Sequence, residues 1–161
     1  MIRCLFPHGR KGSLRHVTTD AVAIKDGQIL LVKRGEHLHF SPGKLALPGG
    51  YVDRDEIVEE AVLRELYEET GYRGKVQLLL WINDDPQRVK TDDNQNISFF
   101  YVIEILEREK ESDEEVAELK WFELDKVPTK KMAFDHGEAV ELYRRYLRQK
   151  FPLPKVGRIK K

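Results

Sequence analysis

The sequence predicts an α/β fold on three observations. Strand-like apolar stretches recur at residues 17–24, 28–32, 76–82, 97–106 and 119–124; a helix with its own start and stop signals occupies 53–71; and an amphipathic helix spans 135–150. With 161 residues, 40% hydrophobic and 35% charged, the chain is expected to form one globular domain over 1–161 around a single core.

Residues 1–16 are short, basic and rich in turn formers, and read as an N-terminal arm or edge strand. His8 and His16 have no partners at metal-binding spacing and read as surface residues. The first two strands are separated by Asp26-Gly27, a strong hairpin signal, so they are expected to pair. Lys33 and Arg34 close the second of them. Residues 35–50 form a loop ending Leu47-Pro48-Gly49-Gly50, where glycine lets backbone approach an anion or metal closely, although a plain turn before a helix has the same composition. His37 and His39 read as loop residues rather than ligands.

Between Asp53 and Glu69 stand eight acidic residues against two arginines. Asp53 with Glu56 three residues on makes a capping box, and Gly71 suits a left-handed turn at the far end. At about 100° per residue, Val58, Ala61, Val62 and Leu66 define an apolar arc. Glu65, Glu68 and Glu69, at i, i+3 and i+4, share a face that overlaps this arc. A solvated acidic face would lie on the other side. Carboxylates drawn out of water need compensation, and a hard divalent cation such as Mg²⁺, which takes oxygen ligands, supplies it. Arg64, four residues before Glu68, is placed to orient a carboxylate without competing for the ion.

Beyond the helix, the connector 83–96 has no apolar period and is longer than compact domains usually carry without a purpose, so it reads as a lid or part of a substrate wall. Its Arg88 and Lys90 suit phosphate oxygens, and equally suit exposed loop positions. Phe99 and Tyr101 share one strand face, as core or as a surface for stacking a base. Residues 107–118 are a charged loop. In the last helix Ala139, Leu142, Tyr143, Tyr146 and Leu147 recur at helical spacing and cover the sheet. Pro152 and Pro154 then stop regular structure, leaving 152–161 as a basic C-terminal tail.

Several partner classes are excluded. The 28 basic and 28 acidic residues cancel, which argues against nucleic acid, and no apolar run approaches the roughly 18 residues of a membrane span. With Cys4 the only cysteine there is neither a disulfide nor a two-cysteine zinc site, and a cytoplasmic setting is expected.

The string Gly50, five residues, Glu56, seven residues, then Arg64-Glu65-Leu66-x-Glu68-Glu69-x-Gly71-Tyr72 resembles the signature of the Nudix hydrolases at every fixed position, with Tyr72 where an aliphatic residue is usual. The resemblance implies a Nudix-type α/β/α sandwich with a mixed central sheet, and hydrolysis of a nucleoside diphosphate linked to another group with Mg²⁺ or Mn²⁺. It implies Glu65, Glu68, Glu69 and the Gly49 carbonyl as metal ligands, Arg64 as the orienting residue, Glu56 in support of the loop or a further metal, and Arg34 facing the substrate. A catalytic or metal-binding acid in the 107–118 loop is also implied, with Glu115 the choice and Glu114 and Glu118 beside it. Glu68 or Glu115 takes the proton from the attacking water. Pro86, Arg88, the 97–101 strand and Ala133-Phe134-Asp135-His136 resemble the ADP-ribose pyrophosphatase branch, although Gln87 interrupts the commoner Asp-Pro-Arg. ADP-ribose split to AMP and ribose 5-phosphate is thus the expected reaction, in a homodimer. Hydrolysis of nucleoside triphosphates, or a ligand-sensing domain without catalysis, are the alternatives.

Overall fold

Val22 is fully buried, and so are Ala21 and Ala23 on either side of it. Neighbouring strand residues point to opposite faces, so the strand that carries them must be covered on both sides. The computed structural model, which describes residues 2–88 and 95–159, has this arrangement. In chain order its elements are β1 (Ile2–Leu5), β2 (Lys11–Leu14), β3 (Val17–Lys25), β4 (Gln28–Arg34), β5 (Leu45–Ala46), β6 (Gly49–Tyr51), α1 (Val58–Thr70), β7 (Tyr72–Asn83), β8 (Ile97–Arg108), β9 (Val116–Glu123), α2 (His136–Arg148) and β10 (Lys155–Val156).

The main sheet runs β10-β7-β8-β3-β4-β5, with β6 paired to β3 and β9 to β4. It is mixed, since β3 lies parallel to β8 and β10 parallel to β7 while the other pairs are antiparallel. Asp26 and Gly27 turn the β3–β4 hairpin with φ of 50° and 76°. Helix α1 covers one face, where Val62 and Leu66 meet Ala21, Ala23, Leu30 and Ile103. Helix α2 covers the other, where Val140 and Leu142 meet Val22, Ile29, Leu31, Trp81 and Phe100. Full burial of a side chain such as Leu66 stabilises by about 1.5–3 kcal/mol, so these apolar faces, rather than helix propensity, hold the layers together. The result is the expected α/β/α sandwich.

Residues 1–16 form an arm in which β1 and β2 pair as a two-stranded hairpin separate from the main sheet, with Leu5 and Leu14 exposed. Three local expectations are corrected. Asp53 N–H does donate to Glu56 Oε1 at 2.7 Å, but in the turn ahead of the helix. Because Arg64 grips both oxygens of Glu56, that turn stays outside α1, which starts at Val58 with Ile57 N–H donating to Glu60 Oε2 at 3.1 Å. The basic tail is docked over its described part. The open edge of β7 accepts β10 against Trp81 and Ile82, Trp81 Nε1 donates to the Gly157 carbonyl at 2.8 Å, and Arg158 pairs with Asp85 at 2.5 Å. The 35–50 loop also contains β5 and β6. No helix among the described residues is long and apolar enough to cross a membrane.

Gly71 ends α1 at φ 74°, its N–H bonded to the Tyr67 carbonyl at 2.8 Å, and a Cβ there would collide with the Lys110 carbonyl. Gly71→Ala is therefore expected to destabilise by at least about 1–3 kcal/mol, the cost of a left-handed residue without room to relax. A urea unfolding midpoint equal to that of the parent chain would contradict this.

Candidate active site

The inner face of α1 packs toward the Gly49-Gly50 turn, which β6 holds against β3 through the Asp20–Gly49 and Thr19–Gly50 pairs. Gly49 sits so close to β3 that a Cβ would overlap the Thr19 carbonyl and stand 2.9 Å from Asp20 Oδ1. Its N–H donates to Glu69 Oε2 at 3.0 Å, and Glu69 is only 7% exposed. Glu65 lies over Gly50, where an added Cβ would collide with its carboxylate. The side chain of Glu68 is 46% exposed and stays out of the cavity that Glu65 and Glu69 enter. The helix explains this division: Glu65 and Glu69 stack at i and i+4, while Glu68 is rotated about 100° from Glu69, toward the rim.

Arg64 joins these groups. Its Nε and Nη2 hold the two oxygens of Glu56 at 3.0 and 2.7 Å, Nη2 also reaches the Tyr51 carbonyl at 2.9 Å, and Nη1 bonds Glu65 Oε1 and Glu68 Oε2, each at 2.9 Å. One guanidinium thus fixes the turn before the helix and two of the three box carboxylates. Its hydrogen bonds hold the Glu56 carboxyl below the usual range, and the carboxylates raise the pKa of Arg64 itself. Burial pushes the Glu65 carboxyl up, with Arg64 opposing. Burial pushes Glu69 well up; the Gly49 N–H opposes, while Glu65 and Asp113 add to the rise.

Gly49, Gly50, Glu65 and Glu69 share a cavity of about 410 Å³ with Arg34, Arg88 and Glu115. Arg34 donates from Nε to the Phe40 carbonyl at 3.0 Å and lies 5.4 Å from the Phe134 ring centre. Arg88 is not an exposed loop cation: its side chain is 6% exposed and forks onto Asp135, Nε to Oδ2 at 2.9 Å and Nη2 to Oδ1 at 2.6 Å. Glu115 is exposed at the cavity mouth. Lys90 lies outside the described residues. Phe99 and Tyr101 pack in the core beneath α1 and are not part of the cavity wall.

Asp20 and His136 line the same cavity, and sequence reasoning did not single them out as site residues. His136 Nδ1 accepts the Leu47 N–H at 2.9 Å, and its Nε2 stands 3.2 Å from Asp20 Oδ1, whose other oxygen accepts from Ser98 Oγ at 2.5 Å. Burial raises the Asp20 carboxyl, but His136, Arg88 and Ser98 together bring it below its ordinary value. The available signal is that Asp20 is the only charged residue of the 17–24 strand, since a buried charge requires a partner.

Among the described residues no three His, Cys, Asp or Glu side chains are gathered closely enough to hold a metal ion as they stand, and Arg64 engages Glu65 and Glu68. The donors nonetheless suit a hard divalent ion. They are carboxylate and carbonyl oxygens, and a buried Glu69 anion beside Glu65 is held at a cost that a cation would relieve. Glu65 and Glu69 bring such oxygens to one cavity beside Gly49, with Glu68 at its rim, and these residues fit such an ion.

An acidic helix face thus meets a glycine turn, with arginines sharing its cavity. The chain belongs to the Nudix family and is a Nudix hydrolase: the NUDIX domain model matches residues 14–143. It is 37% identical over 130 residues to an ADP-ribose pyrophosphatase of Methanocaldococcus jannaschii, covering 81% of this chain and 73% of that one. It is 35% identical over 107 residues to the nucleoside triphosphatase NudI of Escherichia coli, covering 60% and 73%. Among solved structures, a NUDIX hydrolase from Nitrosomonas europaea superposes with a TM-score of 0.80 at 20% identity over 99% of this chain and 88% of that one. An ADP-ribose pyrophosphatase from Streptococcus suis gives 0.71 at 22% identity over 90% and 100%. At these identities the two structures speak for the fold. Nudix hydrolases generally use divalent metal ions.

Arg64→Lys removes the fork that touches Glu56, Glu65 and Glu68 at once while keeping one positive charge. We expect hydrolysis to fall about 10–100-fold, the usual effect of losing a group that orients ligands, with kcat reduced more than KM is raised. Steady-state kinetics that match the parent enzyme would contradict a positioning role for Arg64.

Proposed function

We propose that the protein hydrolyses ADP-ribose to AMP and ribose 5-phosphate, using Mg²⁺ or Mn²⁺. What supports this reading is the placing of Glu65 and Glu69 at the Gly49-Gly50 turn in one cavity with Arg34 and Arg88, on a chain 37% identical to an ADP-ribose pyrophosphatase. Glu65, Glu68, Glu69 and the Gly49 carbonyl would hold the metal, which when bound neutralises phosphate charge and lowers the pKa of water.

The chain's own groups do the rest. Arg34 and Arg88 bring positive charge to the diphosphate, and Arg88 is oriented before substrate arrives by its fork onto Asp135. Phe40 and Phe134 offer apolar surface to the nucleoside or ribose. Arg64 holds Glu65 beside the turn and Glu68 at the cavity rim. Water adds to one phosphorus, the bridging oxygen leaves with the other phosphate, and a carboxylate oxygen of Glu68 or Glu115 takes the proton from the water. The similarity to NudI supports a second reading, pyrophosphohydrolysis of nucleoside triphosphates in the same cavity.

The exposed Ile2, Leu5, Phe6 and Leu14 of the β1–β2 hairpin support a homodimer in which the arm meets a second copy. The lone Cys4 suits a reducing cytoplasm.

Assay of ADP-ribose beside the nucleoside triphosphates should give AMP and ribose 5-phosphate with kcat/KM at least about tenfold above any triphosphate, or 1.4 kcal/mol in the barrier. EDTA should abolish turnover, and Mg²⁺ or Mn²⁺ should restore it. Pyrophosphate released from a triphosphate as the preferred reaction would transfer the assignment to the second reading. A light-scattering mass of one chain would remove the dimer.

A further inference from the structure

Three consecutive residues carry the backbone into the glycine turn, and each is held by one hydrogen bond from a different part of the fold. The Leu47 N–H donates to His136 Nδ1 at 2.9 Å, the Pro48 carbonyl accepts the Ala21 N–H at 2.8 Å, and the Gly49 N–H donates to Glu69 Oε2 at 3.0 Å. The second comes from β3 and the third from α1. The first and third come from buried side chains instead of a backbone partner, and the first spans the longer separation, 89 residues against 20.

His136 is built to present that nitrogen. It is 5% exposed and is the first residue of α2, directly after Phe134, which is held at a left-handed φ of 50°, and Asp135. The Phe100 ring meets the imidazole edge-on at 6.1 Å, and the Phe134 ring lies tilted against it at 5.2 Å. Because Nδ1 accepts a hydrogen bond, the ring proton sits on Nε2, where Asp20 Oδ1 receives it at 3.2 Å. Asp20 is fixed in turn by Ser98, and it is the residue paired with Gly49 across β3 and β6. A carboxylate that both orients the imidazole and abuts Gly49 closes the loop.

We propose that His136 is a positioning residue of the hydrolase site, which, oriented by Asp20, clamps the Leu47 amide and so sets the Gly49 backbone against Glu69. This rests on the functional reading above only for its kinetic part; the clamp itself is a property of the metal-free chain.

Two substitutions divide the imidazole's functions. In His136→Asn the side-chain oxygen falls where Nδ1 stands and can still accept from Leu47, while the contact to Asp20 is lost. In His136→Gln the amide nitrogen reaches the place of Nε2 and can still donate to Asp20, while the acceptor for Leu47 is lost. Full-length, metal-free protein is followed by amide hydrogen exchange at Leu47 and Gly49, and by the free-Mn²⁺ electron paramagnetic resonance signal for ion affinity. ADP-ribose turnover with Mg²⁺ is then measured on the same preparations.

The expected result is that Gln speeds Leu47 and Gly49 exchange and costs about 10–100-fold in Mn²⁺ affinity or kcat with KM little changed, the range for loss of an orienting partner. Asn, which keeps the acceptor for Leu47 and loses only the orienting contact to Asp20, should be impaired less than Gln, by at least about threefold, and should leave Leu47 and Gly49 exchange slower than in Gln. Equal behaviour of the two variants, whether both like the parent or both impaired, would overturn the clamp. Should the parent prove inactive on ADP-ribose, the functional reading fails, while exchange and Mn²⁺ affinity still decide the proposal.

Discussion

The structure depends on a buried carboxylate. Glu69 is turned into the protein by the same helical face that carries Val62 and Leu66, and the hydrogen bond it accepts is the Gly49 N–H. A carboxylate so placed, with Glu65 close by, is costly as an anion. Its surroundings reflect that cost. Gly49 has no side chain because β3 leaves no room for one, Arg64 draws Glu65 and Glu68 onto a single guanidinium, and Arg34 adds positive charge that partly offsets the burial of Glu69.

Around this carboxylate the fold is a device for bringing distant segments to one cavity. The sheet supplies Asp20 from β3, α1 supplies Glu65 and Glu69, and the start of α2 supplies His136, with Asp135 holding Arg88 from behind. Asp135 also receives Asn83 Nδ2 at 2.7 Å, so Asn83 at the end of β7 and Arg88 in the connector share one acceptor. The docked tail reaches the same connector through Arg158 and Asp85. A chain with no net charge therefore carries a site that is acidic at α1 and has Arg34 in the same cavity, while the charge of Arg88 is matched by Asp135.

Local signals made much of this legible. The alternating apolar strands, the Asp26-Gly27 turn, the Gly71 stop and the overlap of Glu65 and Glu69 with the apolar arc are all properties of short windows, and each has its counterpart in the structure. The residues that escaped are those whose meaning lies in long-range contacts. Asp20 and Ser98 are 78 residues apart, Asn83 and Asp135 are 52 apart, and Leu47 and His136 are 89 apart. Pattern alone cannot pair them. The strand in the tail is illegible for a related reason, since its two prolines are strong local stop signals and only the open edge of β7 turns the residues after them into a strand. Glu68 shows the limit of helical geometry: three acids share a face in projection, yet the cavity admits two.

The most direct test of this account is a carbon-13 NMR titration of the Glu69 side-chain carboxyl, first in EDTA and then with saturating Mg²⁺. The account predicts a midpoint well above that of an ordinary glutamate in the metal-free protein and a pronounced fall when the ion is added. A midpoint in the ordinary range, or one indifferent to Mg²⁺, would contradict it.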